Sequence, residues 1–355
     1  MSQKLIKVGI TVGDINGIGL EVIIKTFSDT KLLSNTIPII YGSSKTISFH
    51  KKMLNDESFN FLTISSADQA KPKKVNVINS WNEEVKIDLG KQNPTGGKYA
   101  LLSLEAATND LKTNKIDVLL TAPINKDGVK SAGFEFPGHT EYLAHMSNTD
   151  DVLMLMVANN LRVAVATGHV PLKDVAAMIT PELLTSKLNL LLNSLRKDFA
   201  IERPKIAVLG LNPHAGDRGA LGDEELNIIN PVVKTFQDKG ELVYGSYSAD
   251  GFFGSSNIKN FDGVLAMYHD QGLTGFKAIS FDEGVNYTAG LPIVRTSPDH
   301  GTAYDIAGKG VASPQSFRNA YFLACDVFKK RELYKEINAN PLKPQKDTKT
   351  KPNRK

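Results

Sequence analysis

The sequence predicts an α/β protein with a mostly parallel sheet, divided into two domains around one cleft. Three observations carry this. Short apolar runs with strand character alternate with segments of helical spacing along the whole chain. The length of 355 residues exceeds the usual size of one domain. Several apolar runs stop abruptly at a histidine or proline, as strands do where a ligand-binding edge begins.

LIKVGITV (5–12) reads as a buried strand, followed by GDINGIGLE and a helix over Glu21–Phe27. TIPIIYG (36–42) is the next strand. In GGKYALLSLEAATNDLK, Ala100, Leu104, Ala107 and Leu111 fall on one helical face. IDVLLTAP (116–123) is a strand ending at a proline. VLMLMVA and LRVAVAT form a strand pair with Asn159-Asn160 at the turn. TPELLTSKLNLLLNSLRKDF is a helix with Thr180 as N-cap, Pro181 in the first turn, and Leu184, Leu188, Leu191 and Leu195 on its apolar stripe. KIAVLGL (205–211) and DGVLAMY (262–268) are buried strands, the second leading into a glycine-rich loop, and SPQSFRNAYFLACDVF (313–328) is a final helix.

The formal charge of +4 is concentrated at the C-terminus: residues 341–355 carry six basic residues and one acidic, leaving the rest near neutral. That distribution argues against a nucleic-acid-binding face and for a solvated, disordered tail. The single cysteine, Cys325, allows no disulfide framework within one chain, which suits a reducing compartment. No signal peptide and no apolar run of membrane-spanning length is present, so a cytoplasmic location is expected.

Three of the seven histidines share one setting. His169, His214 and His269 each follow directly on an apolar strand. Neutral imidazoles are common ligands of divalent ions, and three with an open position make a catalytic arrangement. Their spacings match no local zinc motif, so ordinary loop histidines stand as the competing reading. Asp270 is either a partner of the His269 ring or a cap of the following turn. His139 precedes Thr140, an expected N-cap of the helix EYLAHM; His145 within that helix reads as structural, and His50 receives no role. Lys277 and Arg295 are either surface charges or binders of an anionic ligand. Gly13, Gly17 and Gly19 form GxxxGxG, which is not the dinucleotide fingerprint and reads equally as a tight strand-to-helix turn.

Taken together, VGDINGIGLE, LLTAPINKDGVKSAG, FPGHTEYLA, ATGHVPL, LGLNPHAGDRGALGDEE, YHDQGLTGFK and GVNYTAGLPIVRTSPDHGTAYDIAGKG resemble the 4-hydroxythreonine-4-phosphate dehydrogenase family from about Val8 to Cys325. The resemblance implies NAD-dependent oxidative decarboxylation of 4-phosphooxy-L-threonine to 3-amino-2-oxopropyl phosphate in pyridoxal 5′-phosphate biosynthesis. It implies a divalent metal (zinc, magnesium or cobalt) on His169, His214 and His269, in an active site shared across a homodimer. It places substrate on His139, Thr140, Lys277, Asn286 and Arg295, with Lys277 the candidate catalytic group for the hydroxyl proton. NADP remains an alternative cofactor, a phosphorylated threonate an alternative substrate, and a three-histidine zinc hydrolase an alternative enzyme.

HGTAYDIAGKGVASP and GDINGIGLE are also distantly similar to loops of isocitrate and isopropylmalate dehydrogenases. That likeness implies their two-domain fold, with the cofactor near His300, Gly301 and Asp305. It implies a discontinuous first domain of 1–125 plus 286–335 and a second of 126–285. In the first loop, Ile15, Asn16 and Leu20 stand where Pro, Ala and Pro are common in the family.

Overall fold

The computed structural model describes residues 5–149, 151–280 and 282–341; the expected basic tail lies, from residue 342, outside the described residues. The first half alternates as its sequence dictates. β1 (Ile6–Thr11) leads through the Gly13 turn into α1 (Gly19–Phe27). β2 (Thr36–Gly42), α2 (Ser44–Leu54), β3 (Phe61–Ile64) and β4 (Val75–Asn79) follow. α3 (Pro94–Lys112) is started by Asn93, whose side chain accepts from Gly96 N, and buries Ala100, Leu104, Ala107 and Leu111. β5 (Val118–Thr121) is fully buried, and α4 (Lys126–Ser131) and α5 (His139–Met146) come after it.

The second half opens with the hairpin of β6 (Leu153–Ala158) and β7 (Leu161–Thr167), turning at Asn159-Asn160. α6 (Leu172–Met178) and α7 (Pro181–Lys197) succeed it; Thr180 Oγ1 accepts from Leu183 N, as expected of an N-cap. The predicted leucine stripe of α7 is buried. β8 (Lys205–Leu209), α8 (Asn230–Asp238), β9 (Leu242–Tyr247), α9 (Ala249–Phe253) and β10 (Gly263–Tyr268) build the far end of the sheet. α10 (His269–Ile279), β11 (Val285–Ala289), β12 (Arg295–Pro298) and α11 (Gln315–Asn338) complete the described chain.

All twelve strands join one sheet in the order β3-β4-β2-β1-β5-β12-β11-β6-β7-β10-β8-β9. The six strands from β3 to β12 are mutually parallel, and so are β7, β10, β8 and β9. An antiparallel seam, β12-β11-β6-β7, joins the two blocks, so they run in opposite directions. β1–β5 belong to the first expected segment and β6–β10 to the second, while β11 and β12 lie between them.

Several local expectations change. The stretch after His269 is a helix: Gly272 lies against Ala266 and Val163, and Gly275 against the Phe253 ring, so these glycines provide packing room. Thr140 is not an N-cap; Gly138 holds that position, and Thr140 sits in the first turn of α5. α11 extends ten residues beyond its expected end at 328. Arg331 fastens that extension, donating to Asp198 Oδ1 at 2.6 Å, Tyr287 Oη at 2.9 Å and the carbonyls of Pro292 and Ile293. His50 is buried, with Nε2–H donating to Ile15 O at 3.0 Å. Among the described residues no single helix is long and apolar enough to cross a membrane.

Candidate active site

A cavity of about 370 Å³ collects nine of the residues singled out from sequence: His139, Thr140, His169, His269, Lys277, Asn286, Arg295, His300 and Gly301. It draws on both sheet blocks. The first contributes the end of β5, the start of α5 and the segment beyond β12; the second contributes the residues following β7 and β10.

Arg295 is its electrostatic centre. The side chain is 3% exposed at the first position of β12. Its Nε and Nη2 donate to Thr121 Oγ1 at 3.1 and 2.7 Å, and Nη1 reaches Thr288 Oγ1 at 3.5 Å. Burial pushes the guanidinium down to about 10, partly opposed by Glu141. A guanidinium has only donors, so the 3.3 Å contact between Nη2 and His139 Nδ1 makes that nitrogen the acceptor. Burial, and secondarily Arg295, hold the His139 pKa well below the usual histidine range. His139 is therefore neutral with its proton on Nε2. That Nε2–H is buried and has no hydrogen-bond partner among the described residues.

Two acceptors complement it. Asn286 Oδ1, on β11, is buried and likewise without a partner among the described residues. His300 donates from Nδ1 to Gly301 O at 3.0 Å, leaving Nε2 a lone-pair acceptor that is also buried and unpartnered. Burial lowers the His300 pKa against the raising effects of the Gly301 carbonyl and Asp299. Buried polar atoms are normally satisfied. One donor and two acceptors left open in a single cavity describe the complement of a polar ligand.

Lys277, on α10, pairs with Asp299 at 3.1 Å. Asp299 has its carboxyl raised by burial, with Lys277 pulling the other way. Sequence reading missed Asp299, Lys126, Glu141 and Thr121, which also line the cavity. Lys126 and Asp299 had signals: each follows a strand within a quoted motif, TAPINKDG and SPDHG.

His169 and His269 converge, with ring centroids 5.4 Å apart. Burial is the main cause of a lowered His169 pKa, followed by Lys126 and His269. His269 Nδ1 contacts Asp270 Oδ1 at 2.7 Å, which leaves the Nε2 edge for a ligand. His214 does not line this cavity; it is exposed on the turn after β8. Among the described residues no group of three His, Cys, Asp or Glu side chains is close enough to hold a metal ion. One chain thus brings together two of the three expected imidazoles. Two imidazoles this close have the donor chemistry of a divalent-ion site but are too few to complete one.

The GDINGIG and HGTAYD loops meet beside the cavity. Tyr304 Oη donates to Asp14 Oδ2 at 2.7 Å, Asn16 N donates to Asp14 Oδ1 at 2.8 Å, and Ile18 N donates to Thr302 O at 3.0 Å. Asp14 is 1% exposed, and burial raises its carboxyl against both hydrogen bonds. A Cβ on Gly17 would lie 2.7 Å from Thr302 O, so the backbones touch where only glycine fits. Asn16 exchanges hydrogen bonds with Asp88 N and Asn93, tying a third segment to the same loop. Asp305 is exposed and does not line the cavity.

Residues 34–324 match the family model described as Pyridoxal phosphate biosynthetic protein PdxA. The chain is 51% identical over 346 residues to a 4-hydroxythreonine-4-phosphate dehydrogenase of Bacteroides thetaiotaomicron, covering 97% of this chain and 95% of that one. It is 38% identical over 322 residues to a putative D-threonate 4-phosphate dehydrogenase of Cutibacterium acnes, covering 90% and 92%. It is also similar to the crystal structure of a 4-hydroxythreonine-4-phosphate dehydrogenase from Klebsiella pneumoniae. That match has a TM-score of 0.79 and 33% identity, covering 92% of this chain and 99% of the other.

Proposed function

Because the chain belongs to the PdxA family of pyridoxal phosphate biosynthetic proteins and is 51% identical to a 4-hydroxythreonine-4-phosphate dehydrogenase, we propose that its cavity carries out NAD-dependent oxidative decarboxylation of 4-phosphooxy-L-threonine. The observation that carries this reading is the buried Arg295 with the open His139 Nε2–H beside it. A buried cation with an adjoining unsatisfied donor favours an anionic, oxygen-rich group such as a phosphoryl or carboxylate.

The overall change removes a proton from the C3 hydroxyl and a hydride from C3, leaving a ketone β to the carboxylate. Carbon dioxide then departs, C2 gains a proton, and 3-amino-2-oxopropyl phosphate remains. NAD, when bound near His300 and Gly301, supplies the hydride acceptor. A divalent ion would be held by His169 and His269 together with His214 of the partner subunit, and would supply Lewis acidity that favours hydroxyl deprotonation and loss of carbon dioxide. The chain's own groups do the rest. Arg295 and His139 hold an anionic substrate oxygen, and Thr140 sits beside them at the start of α5. Asn286 accepts a hydrogen bond from the substrate. Lys277, the candidate for the hydroxyl proton, can accept it once its own ammonium proton has passed to the paired Asp299 carboxylate. His300 Nε2 accepts from the cofactor.

The position of His214 outside the cavity supports a homodimer in which the partner subunit completes the metal set. A cytoplasmic location, and the division into 1–125 plus 286–335 and 126–285, belong to the same reading. Membership in a dehydrogenase family displaces the hydrolase alternative. The relative named for D-threonate 4-phosphate keeps a phosphorylated threonate as the second substrate. NADH absorbance decides between them: 4-phosphooxy-L-threonine and D-threonate 4-phosphate are offered with NAD or NADP, after chelation and after return of zinc, magnesium or cobalt. No NADH from either substrate with any metal would sink the reading, and chelator-insensitive turnover would remove the metal from it.

A further inference from the structure

The turn that carries His214 has an uncommon backbone. From His214 to Gly219 every residue has positive φ: 53, 51, 78, 41, 55 and 93°. Four of the six, His214, Ala215, Asp217 and Arg218, have side chains that resist this region, because Cβ crowds the following carbonyl. Such a run persists only where its surroundings over-determine it.

Those surroundings centre on Glu225, a residue 2% exposed that plays no part in the chemistry described above. Its Oε1 accepts from Leu211 N at 2.7 Å and Asn212 N at 2.8 Å, and its Oε2 accepts from Asn212 Nδ2 at 3.0 Å. Two glycines leave space for the carboxyl. A Cβ on Gly210 would lie 2.9 Å from Oε1, and one on Gly216 would lie 2.6 Å from Oε2. The clamp also reaches His269. Gln271 donates to Gly210 O at 2.6 Å and accepts from Met267 N at 2.7 Å, fixing the end of β8 to the start of α10.

We propose that Glu225 is a positioning residue: it locks the left-handed turn in the form that presents His214 outward as a ligand for a divalent cation. The inference rests on the metal reading above and adds the group that pre-organises its third imidazole. His214 is exposed, while the backbone that leads into its turn, at Leu211 and Asn212, is held by a buried carboxyl. That combination serves a ligand delivered to something outside its own chain.

The test is Co²⁺ titration of the full-length metal-free protein in its native assembly, read by the visible absorption of bound cobalt. Circular dichroism and metal-free melting serve as folding controls. Glu225→Gln keeps the volume and loses acceptor capacity, and is expected to weaken Co²⁺ binding about 10- to 100-fold, the usual effect of removing a group that orients a ligand. Saturating Co²⁺ should restore the wild-type spectrum, because the ligand itself remains. Asn212→Ala, a gentler cut at the same clamp, should weaken binding several-fold. His214→Ala should weaken binding and change the spectrum even at saturation. If His214→Ala weakens binding while both folded clamp variants stay within twofold of wild type, Glu225 is only a fold strut and the inference is overturned. If His214→Ala also leaves binding unchanged, the metal reading itself has failed.

Discussion

Replacing Arg295 with methionine separates what the fold needs from what the substrate needs. The guanidinium is buried, and its described hydrogen-bond partners are the neutral groups Thr121, Thr288 and His139. Burial holds it at about 10 against an ordinary 12.5. At about 1.4 kcal/mol per pH unit, keeping the charge inside costs the folded chain about 3 kcal/mol. Methionine removes that cost and also the hydrogen bonds to the two threonines, each worth about 1 kcal/mol net. The three bonds roughly offset the charge cost, so Arg295→Met is expected to stay within about 1 kcal/mol of the wild type in urea unfolding. Function moves the other way. Losing one side of a buried charge pair with an anionic substrate costs about 3 kcal/mol, which is roughly 150-fold in kcat/KM. Inorganic phosphate should raise the melting temperature of the wild type and leave that of the variant in place. A variant more than about 2 kcal/mol less stable that still binds phosphate and turns over normally would refute this account of Arg295.

Three further outcomes are expected. Because burial holds His50 at about 4 against 6.5, its contribution is complete above pH 6.5, is lost as pH falls toward 4, and is constant below. Wild-type unfolding free energy should lose about 2 kcal/mol from this group between pH 6.5 and 5, and His50→Gln should lack that loss; equal pH dependence in both proteins would contradict it. If His169 and His269 act within one chain and His214 serves the neighbouring one, mixing His214→Ala with His169→Ala should recover about a quarter of wild-type activity after subunit exchange. Mixing His169→Ala with His269→Ala should recover none, and the reverse pattern would redraw the shared site. Tyr304→Phe, which releases Asp14 Oδ2, should raise the KM for NAD about fivefold with kcat little changed; an unchanged KM would detach that loop pair from the cofactor.

The strands that deliver the site were legible because buried parallel strands read as short apolar runs. VAVAT, IAVLGL and GVLAMY ended in the structure close to where they ended in the sequence. The glycines after His269 misled because glycine marks both turns and close packing, and only the neighbours, Ala266, Val163 and Phe253, show which applies. Thr140 misled for a related reason: Gly138, extended at φ −177°, can start a helix without a side-chain cap. Lys277 on α10 meets Asp299 just beyond β12 with no periodic relation to report them. The open hydrogen-bonding atoms of His139, Asn286 and His300 are a property of what surrounds them and have no sequence signature at all.

The seam between the two sheet blocks also bears on how the chain is made. β5 is complete once Thr121 has been synthesised, yet its neighbour β12 begins at Arg295, and β6 likewise waits for β11. At a ribosomal rate of about 5–20 residues per second, the edge of β5 stays open for on the order of ten to thirty seconds. It is a buried, apolar edge, the kind that pairs with whatever strand is nearest. Two half-sheets thus emerge in order, each with an unfilled side, and the last strands made are the ones that close both. A nascent chain stalled before residue 285 carries both open sides, and holding them apart from other chains until β11 and β12 arrive becomes a task for the cell rather than for the sequence.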